Sequence, residues 1–441
     1  MHLAFVWHFH QPIYRDPDSG EYVLPWVNYH AVKNYHQMAR LAEESEFPGT
    51  YNFVPCLLEQ VLDYAAGTAR DPFQAALEKD PGKLTYADVR LLSRIVPGEA
   101  HPRRIQELAI QALFSRLLTP KKDREGLLGL RKDILADLVP SYVRLHERGL
   151  AELTTSPYYH PLLPAIFDIR SADGECLPDL PFCHPEDGKA QLALGRAYFE
   201  RTFGFPPAGL WPSEGGVSRE VARAASDSGF GFALTDENIL WKSRPGPHAP
   251  GDLFRPYLCE SLPLLFRDRE LSDLLSFEYQ KWPATSAVED FVAKLELRRK
   301  AAVEEAIVVV VLDGENPWEY YPANGVPFLR ALYDRLQGLA GFTPTSIRGY
   351  LEKHPARAEI DLVPGTWLGN FSKWVGHPAK NAAWDLLARA RAACGWTDAM
   401  AVAEGSDWFW WYGEEGKEEF DYLFKGYIRK ACREAGVKEL E

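Results

Sequence analysis

Seven short apolar runs punctuate the chain, and most of them end in polar or ionisable residues: LAFVWHFH (3–10), TYNFVPC (50–56), LAELTTSPYYHP (150–161), AGLWPSEGG (208–216), FGFALTDEN (230–238), LPLLFRDRELSD (262–273) and IVVVVLDGE (307–315). Several are almost wholly apolar, as parallel strands covered on both faces are. Helical periodicity fills stretches between them, at 185–203, 219–228, 286–305 and 325–338. Strand, polar loop and helix in repetition describe a (β/α) barrel, whose site lies at the C-terminal ends of the strands. A doubly wound open sheet shares the alternation. It would carry a glycine-rich turn after a strand and gather its polar residues at one switch point, and this chain does neither.

With 441 residues the chain has room for two or three domains, or for one large barrel with additions. Residues 1–340 read as the barrel. Within it, the mostly helical stretch 86–149 (ADVRLLSRIV, RRIQELAIQALFSRLL, LLGLRKDILADLVPSYVRLHERG) reads as an insertion between the second and third strands. After residue 340 the pattern becomes helices and long Trp-rich loops, so 341–441 reads as a C-terminal helical region closing the cleft.

The net charge of −13 argues against nucleic acid or an anionic membrane as partner. No segment is long and apolar enough to span a bilayer. The N-terminus lacks a basic start and a small-residue cleavage site, which favours a cytoplasmic location. The six cysteines are scattered without a CxxC, so reduced thiols are expected in preference to a Cys176–Cys183 loop disulfide or half a metal site. The aromatic content of 13%, with 13 Trp, leaves rings beyond those needed for a core.

Two carboxylates stand out. Glu214 sits between an apolar run and two glycines. Asp313 ends the five-residue run of branched side chains. Each alone has an ordinary explanation: a helix-start acid beside Ser213 and Ser218, and an Asx-turn into Gly314. In a barrel, however, all strand ends face one cavity. Two carboxylates across a sugar bond are the minimum for glycoside hydrolysis, and aromatic faces suit the apolar faces of sugar rings.

Five motifs in order then resemble glycoside hydrolase family 57, the α-amylase-like retaining enzymes on an incomplete (β/α)7 barrel. They are HFHQP (8–12), GLAELTTSPYYHPLLP (149–164), GLWPSE (209–214), LDGENPW (312–318), and the C-terminal pair GTWLGNFSKWVGHPAKNAAWDLL (365–387) and AEGSDWFWWYGE (403–414), in a branch often labelled α-amylase/α-mannosidase. The resemblance implies an incomplete (β/α)7 barrel, action on α-glucans and no cofactor. It puts the nucleophile at Glu214, ionised in the free enzyme, and the general acid/base at Asp313, with carboxyls about 5–6 Å apart as retention requires. It also implies substrate contacts at His8, His10, Glu152, His160, Trp211, Glu315, Trp318, Trp374, Asp407 and Trp408, with about half of the tryptophans lining the cleft. His8 and His10 alternate on one strand and so point the same way. Glu315 shares the orientation of Asp313 if the strand persists. Transfer by a 4-α-glucanotransferase or branching-type reaction would use the same site. A catalytically silent carbohydrate-binding barrel is the alternative of another class. A metal-dependent deacetylase or mannosidase would need His-x-x-x-His or His-x-Asp. No two of the 12 histidines are four apart, and Pro12 stands two residues after His10.

Overall fold

The computed structural model describes residues 1–80, 83–88, 121–172, 174–249, 251–302 and 305–438. Its strands are β1 (His2–Phe9), β2 (Gly49–Phe53), β3 (Ala151–Thr155), β4 (Ala233–Asp236), β5 (Tyr257–Cys259), β6 (Leu262–Arg267), β7 (Ile307–Asp313) and the two-residue β8 (Thr343–Pro344) and β9 (Ala358–Glu359). One parallel ladder runs β3-β2-β1-β7, and a second joins β4 to β6 with β5 and β9 outside it. Leu210 makes single parallel bridges to Thr155 on one side and Ala233 on the other. Between β6 and β7 the Asp268 N–H donates to the Val309 carbonyl at 2.8 Å. The result is an incomplete (β/α)7 barrel.

The fourth expected strand, 208–216, is thus reduced to a short stretch around Leu210. Pro206, Pro207 and Pro212 bracket it, and proline has no N–H to give a ladder. The segment keeps its place in the ring: the Ala208 and Trp211 N–H groups donate to the Leu153 and Thr155 carbonyls, and the Leu210 N–H to that of Phe232.

Alternation along the strands sorts the side chains. Ala4 and Val6 of β1 and Ile307, Val309 and Val311 of β7 share one small buried cluster with Leu234 and Leu265, the barrel interior. Leu3, Phe5, Trp7, Phe9, Val308, Val310 and Leu312 join the larger core outside. Burying each branched chain on either face contributes about 1.5–3 kcal/mol, so the valine run is satisfied only between two layers. Continuing the inward set upward reaches His8 on β1 and Asp313 on β7, which are paired in register.

The outer layer includes α1 (His36–Ser45), α2 (Pro55–Ala66), α3 (Lys121–Glu147), α4 (Pro185–Phe203), α5 (Arg219–Asp227), α6 (Ala284–Ala301) and α7 (Val326–Gln337). In α4, Pro185 opens the helix and Gly204, at φ 85°, closes it in the left-handed conformation that glycine adopts without cost. The expected segments ADVRLLSRIV and RRIQELAIQALFSRLL lie almost wholly outside the described residues, and the end of that insertion is α3. Among the described residues, no helix is long and apolar enough to cross a membrane. All six cysteines are free, and Cys176 and Cys183 are exposed.

Residues beyond 340 form α8 (Ile347–Lys353), α9 (Pro378–Cys394), α10 (Asp398–Ala403), α11 (Ser406–Trp411) and α12 (Glu418–Ala435), besides β8 and β9. Helix α8 stops the N-terminal end of the barrel, with Ile347 and Tyr350 in the interior cluster. Glu152, expected at the substrate, belongs to this stopper instead. Its carboxylate accepts the N–H groups of Ile347 (2.9 Å) and Arg348 (2.8 Å) and the Thr50 hydroxyl (2.9 Å). It sits at the start of β3, where a carboxylate meets the positive end of a helix.

Candidate active site

At the opposite end of the barrel, Glu214 lies on a turn held by its backbone. Its φ of 59° and ψ of 23° are left-handed, a conformation costly for a side-chain-bearing residue and maintained only by its surroundings. Those surroundings are specific: Trp367 N–H donates to the Glu214 carbonyl at 2.9 Å, and the Thr235 hydroxyl to that of Gly215 at 2.6 Å. The strain aims a carboxyl that is only 7% exposed toward the strand ends. There its Oε1 accepts the Ser406 hydroxyl at 2.9 Å and lies 3.9 Å from His160 Nδ1.

Three imidazoles stack beside it. His10 and His160 have ring centroids 3.8 Å apart at 26°, with His8 at 5.8 and 5.2 Å from them. His8 Nδ1 lies 2.7 Å from Asn52 Oδ1, an acceptor, so the proton belongs on Nδ1 and Nε2 keeps its lone pair. Burial first, then His10, pushes the His8 pKa down to about 3, so this ring is neutral. His160 is driven well below the usual range by burial and by both neighbours. His10 Nε2 meets Asp407 Oδ2 at 2.7 Å. The rings therefore form a hydrogen-bonding wall, in which His8 and His160 are held neutral by burial.

Asp313, at the tip of β7, is half-buried. Gly314 follows it because a Cβ there would stand 2.0 Å from the Phe9 ring. The requirement is close packing, not an unusual φ. Glu315 is buried, and Gln11 Nε2 donates to it at 3.4 Å. Burial and the Asp313 charge hold the Glu315 carboxyl well above the usual range. Glu214 is pushed up to about 8, by burial first and then by the charge of Asp407, with Asp313 adding to it and the Ser406 hydrogen bond opposing it. Burial first, and then the crowding of carboxylates, favours the protonated form of Glu214, whereas the sequence reading expects it ionised.

Of the four tryptophans expected as platforms, Trp211 lies 6.0 Å from the His8 ring, but it is fully buried, in the barrel-interior cluster. Trp318 is fully buried and donates to the Gly314 carbonyl at 3.0 Å. Trp374 is fully buried against Trp410 and Trp384, and Trp408 is tied to the Val402 carbonyl at 2.6 Å. All four are core, which corrects the sequence reading; each has an apolar shell that outweighs any use as a surface. Sequence reasoning missed Ser406 and Asn52, and gave no site role to Trp367 beyond closing the cleft or to the inward-facing Arg267 beyond ending a strand. The Arg267 guanidinium pairs with Asp236 at 3.1 Å and covers the Trp367 ring at 5.7 Å. GTWLGN and AEGSD were the available signals, since Trp367 and Ser406 lie within those two motifs.

His10, His160 and Asp407 bring one ligand-type atom each to within 4.8 Å of one another. Their arrangement suits hydrogen bonding better than metal binding. The two rings lie face to face, and His10 Nδ1 and His160 Nε2, which in a metal site would be held by outer partners, have none among the described residues.

The family model for glycosyl hydrolase family 57 matches residues 4–363. No curated protein matches the chain. Among solved structures, a branching enzyme from Pyrococcus horikoshii superposes with TM-score 0.70 at 16% identity, covering 100% of this chain and 92% of that one. A branching enzyme from Thermococcus kodakaraensis, in complex with glucose, gives 0.68 at 18%, covering 98% and 89%. A novel α-amylase from Thermotoga maritima gives 0.68 at 15%, covering 98% and 92%. At these identities the likeness is one of fold.

Proposed function

The chain belongs to glycosyl hydrolase family 57, and from that premise we propose that it cleaves or transfers α-glucosidic bonds in maltooligosaccharides, starch or glycogen with retention of configuration. The observation that carries this is the placing of Glu214 and Asp313 at the same end of the barrel, with the Asp313 charge felt at Glu214, beside the stacked histidines. Asp313 protonates the glycosidic oxygen while Glu214 attacks the anomeric carbon. The leaving sugar departs with the proton, and a glycosyl ester forms on Glu214. Asp313, now a base, removes a proton from water, or from a sugar hydroxyl in transfer, and the second attack restores Glu214. His8 Nε2 accepts a substrate hydroxyl, and the half-buried Trp367 bounds the sugar. The fold neighbours are branching enzymes and an α-amylase, and both outcomes follow from this one intermediate.

A second reading exchanges the roles. The raised pKa of Glu214 favours it, because a carboxyl kept protonated is the usual donor. Chemical rescue separates the two. With Glu214→Ala and azide, the first reading expects a glycosyl azide of inverted configuration, and with Asp313→Ala the retained product. The opposite pairing exchanges the roles. No turnover by the unaltered protein on maltoheptaose, amylose or pullulan removes the α-glucan assignment.

A further inference from the structure

Ser406 touches two groups of the site at once. Its Oγ lies 2.9 Å from Glu214 Oε1 and 3.1 Å from His160 Nδ1, and all three residues are buried. Its backbone N–H donates to the His160 carbonyl at 2.9 Å, and Gly405 bridges Pro161, so the hydroxyl cannot drift from the His160 loop. Residues Ser406 and Asp407 open α11, so one helical turn binds both Glu214 and, through Asp407, His10.

We propose that Ser406 is a positioning residue through which the C-terminal region fixes the Glu214 carboxyl and couples its protonation to the tautomer of His160. The inference rests on the reading of Glu214 as a reacting carboxyl. A hydroxyl has one hydrogen, so the chain runs in one of two directions. With Glu214 ionised, His160 Nδ1–H donates to Ser406 Oγ and Ser406 O–H donates to Glu214, leaving a lone pair on His160 Nε2. With Glu214 protonated, its O–H donates to Ser406, whose own O–H points to His160 Nδ1, and the ring proton sits on Nε2. His160 Nε2 is buried and has no partner among the described residues, so either tautomer is open to it. Its ring lies against His10. A proton held at Nε2 goes with a protonated Glu214, and a lone pair there with an ionised one. The tautomer of His160 and the charge on Glu214 are tied together through one serine.

The test is Ser406→Ala beside Ser406→Thr, which keeps the hydroxyl. The Glu214 carboxyl titration is followed in the unliganded protein by infrared difference spectroscopy, with Glu214→Gln to assign the band. His160 tautomers are followed by 15N NMR. Loss of the donor is expected to move the Glu214 titration upward and to uncouple the His160 tautomer from it. The acid limb of kcat/KM should shift the same way, with kcat lowered on the order of 10²-fold, as for a misplaced reacting group, and KM little changed. Ser406→Thr is expected to restore the titration and the coupling. Unmoved carboxyl and tautomer titrations in a folded Ser406→Ala protein overturn the proposal. So does a loss of kcat with an unchanged pH profile, which marks a merely structural role. The spectroscopic arms need no substrate, so a wrong substrate assignment silences the kinetics while leaving them readable.

Discussion

Glu214 combines a strained backbone, a buried carboxyl and acidic neighbours, and each of these raises the energy of the folded protein. The linkage to pH follows from the direction of the shift. The folded carboxyl titrates near 8 against about 4.3 in an unfolded chain, so it is favourable to folding only while protonated. Its contribution is intact below about pH 4 and is lost as pH rises toward 8. Glu214→Gln, which stays neutral, should therefore be more stable than the parent at pH 8–9, by up to about 5 kcal/mol, with the gap vanishing near pH 4. Thermal unfolding across that range measures it, and a constant difference would refute the assignment of the shift to Glu214. Glu214 stands out in the sequence only together with Asp313 and the family motifs, since a lone Glu before two glycines has an ordinary use at a helix start. The fate of the tryptophans is not legible there. Trp211, Trp318, Trp374 and Trp408 are all fully buried while Trp367 is not, and only the packing decides which rings stay partly open. Replacing Trp408 by Ala should cost about 3–5 kcal/mol of stability, seen in urea unfolding, without a selective rise in KM for glucan.

Elements explain what alternation could reach. The period of two places His8 and Asp313 on the inner face of β1 and β7, so the strand ends were readable as soon as the strands were. The segment around Leu210 takes the fourth place in the ring as its apolar content implies, but it pairs only over 208–211, because Pro206, Pro207 and Pro212 offer no N–H on either side. Glu152 shares the inward phase of β3, yet phase alone does not tell one end of a strand from the other. It lies at the start, where it caps α8. Glu152→Ala should destabilise the protein by about 2–4 kcal/mol, from two buried N–H groups left without an acceptor, and leave kcat/KM on a maltooligosaccharide unchanged at temperatures where the protein is folded. A selective loss of activity at unaltered stability would return Glu152 to the substrate. Gly314→Ala tests the turn after β7 in the same spirit. The added methyl meets the Phe9 ring and must push β7 from β1, so both stability and turnover are expected to fall.

At the scale of the whole molecule, the barrel and the region after residue 340 hold one site in common. Ser406 reaches Glu214 across 192 residues of sequence. Trp367 pins the Glu214 turn, and Gly365 bridges Val217. Tyr427 donates to the Arg15 carbonyl at 2.7 Å and Tyr422 to Asp16 at 2.5 Å, which ties α12 to the loop after β1. At the far end, α8 covers the barrel interior. No local pattern announces contacts of this range, which is why the serine beside Asp407 went unread while the motif around it was noticed. The arrangement supports treating 341–441 as part of the catalytic unit. A chain ending at residue 340 would lose the Ser406 hydroxyl, the Asp407–His10 pair and the Trp367 N–H, and would expose the apolar faces now covered by α8 and by Trp408 and Phe409. It should be recovered mainly as aggregate. Any soluble fraction should lack turnover and unfold without a cooperative transition by circular dichroism. Supplying 341–441 as a separate chain during refolding should restore both solubility and activity in part, because the lost contacts are noncovalent. A soluble, cooperatively folded 1–340 protein with the parent's kcat/KM would show that the barrel suffices and that the contacts at Glu214 and His10 are incidental to its chemistry.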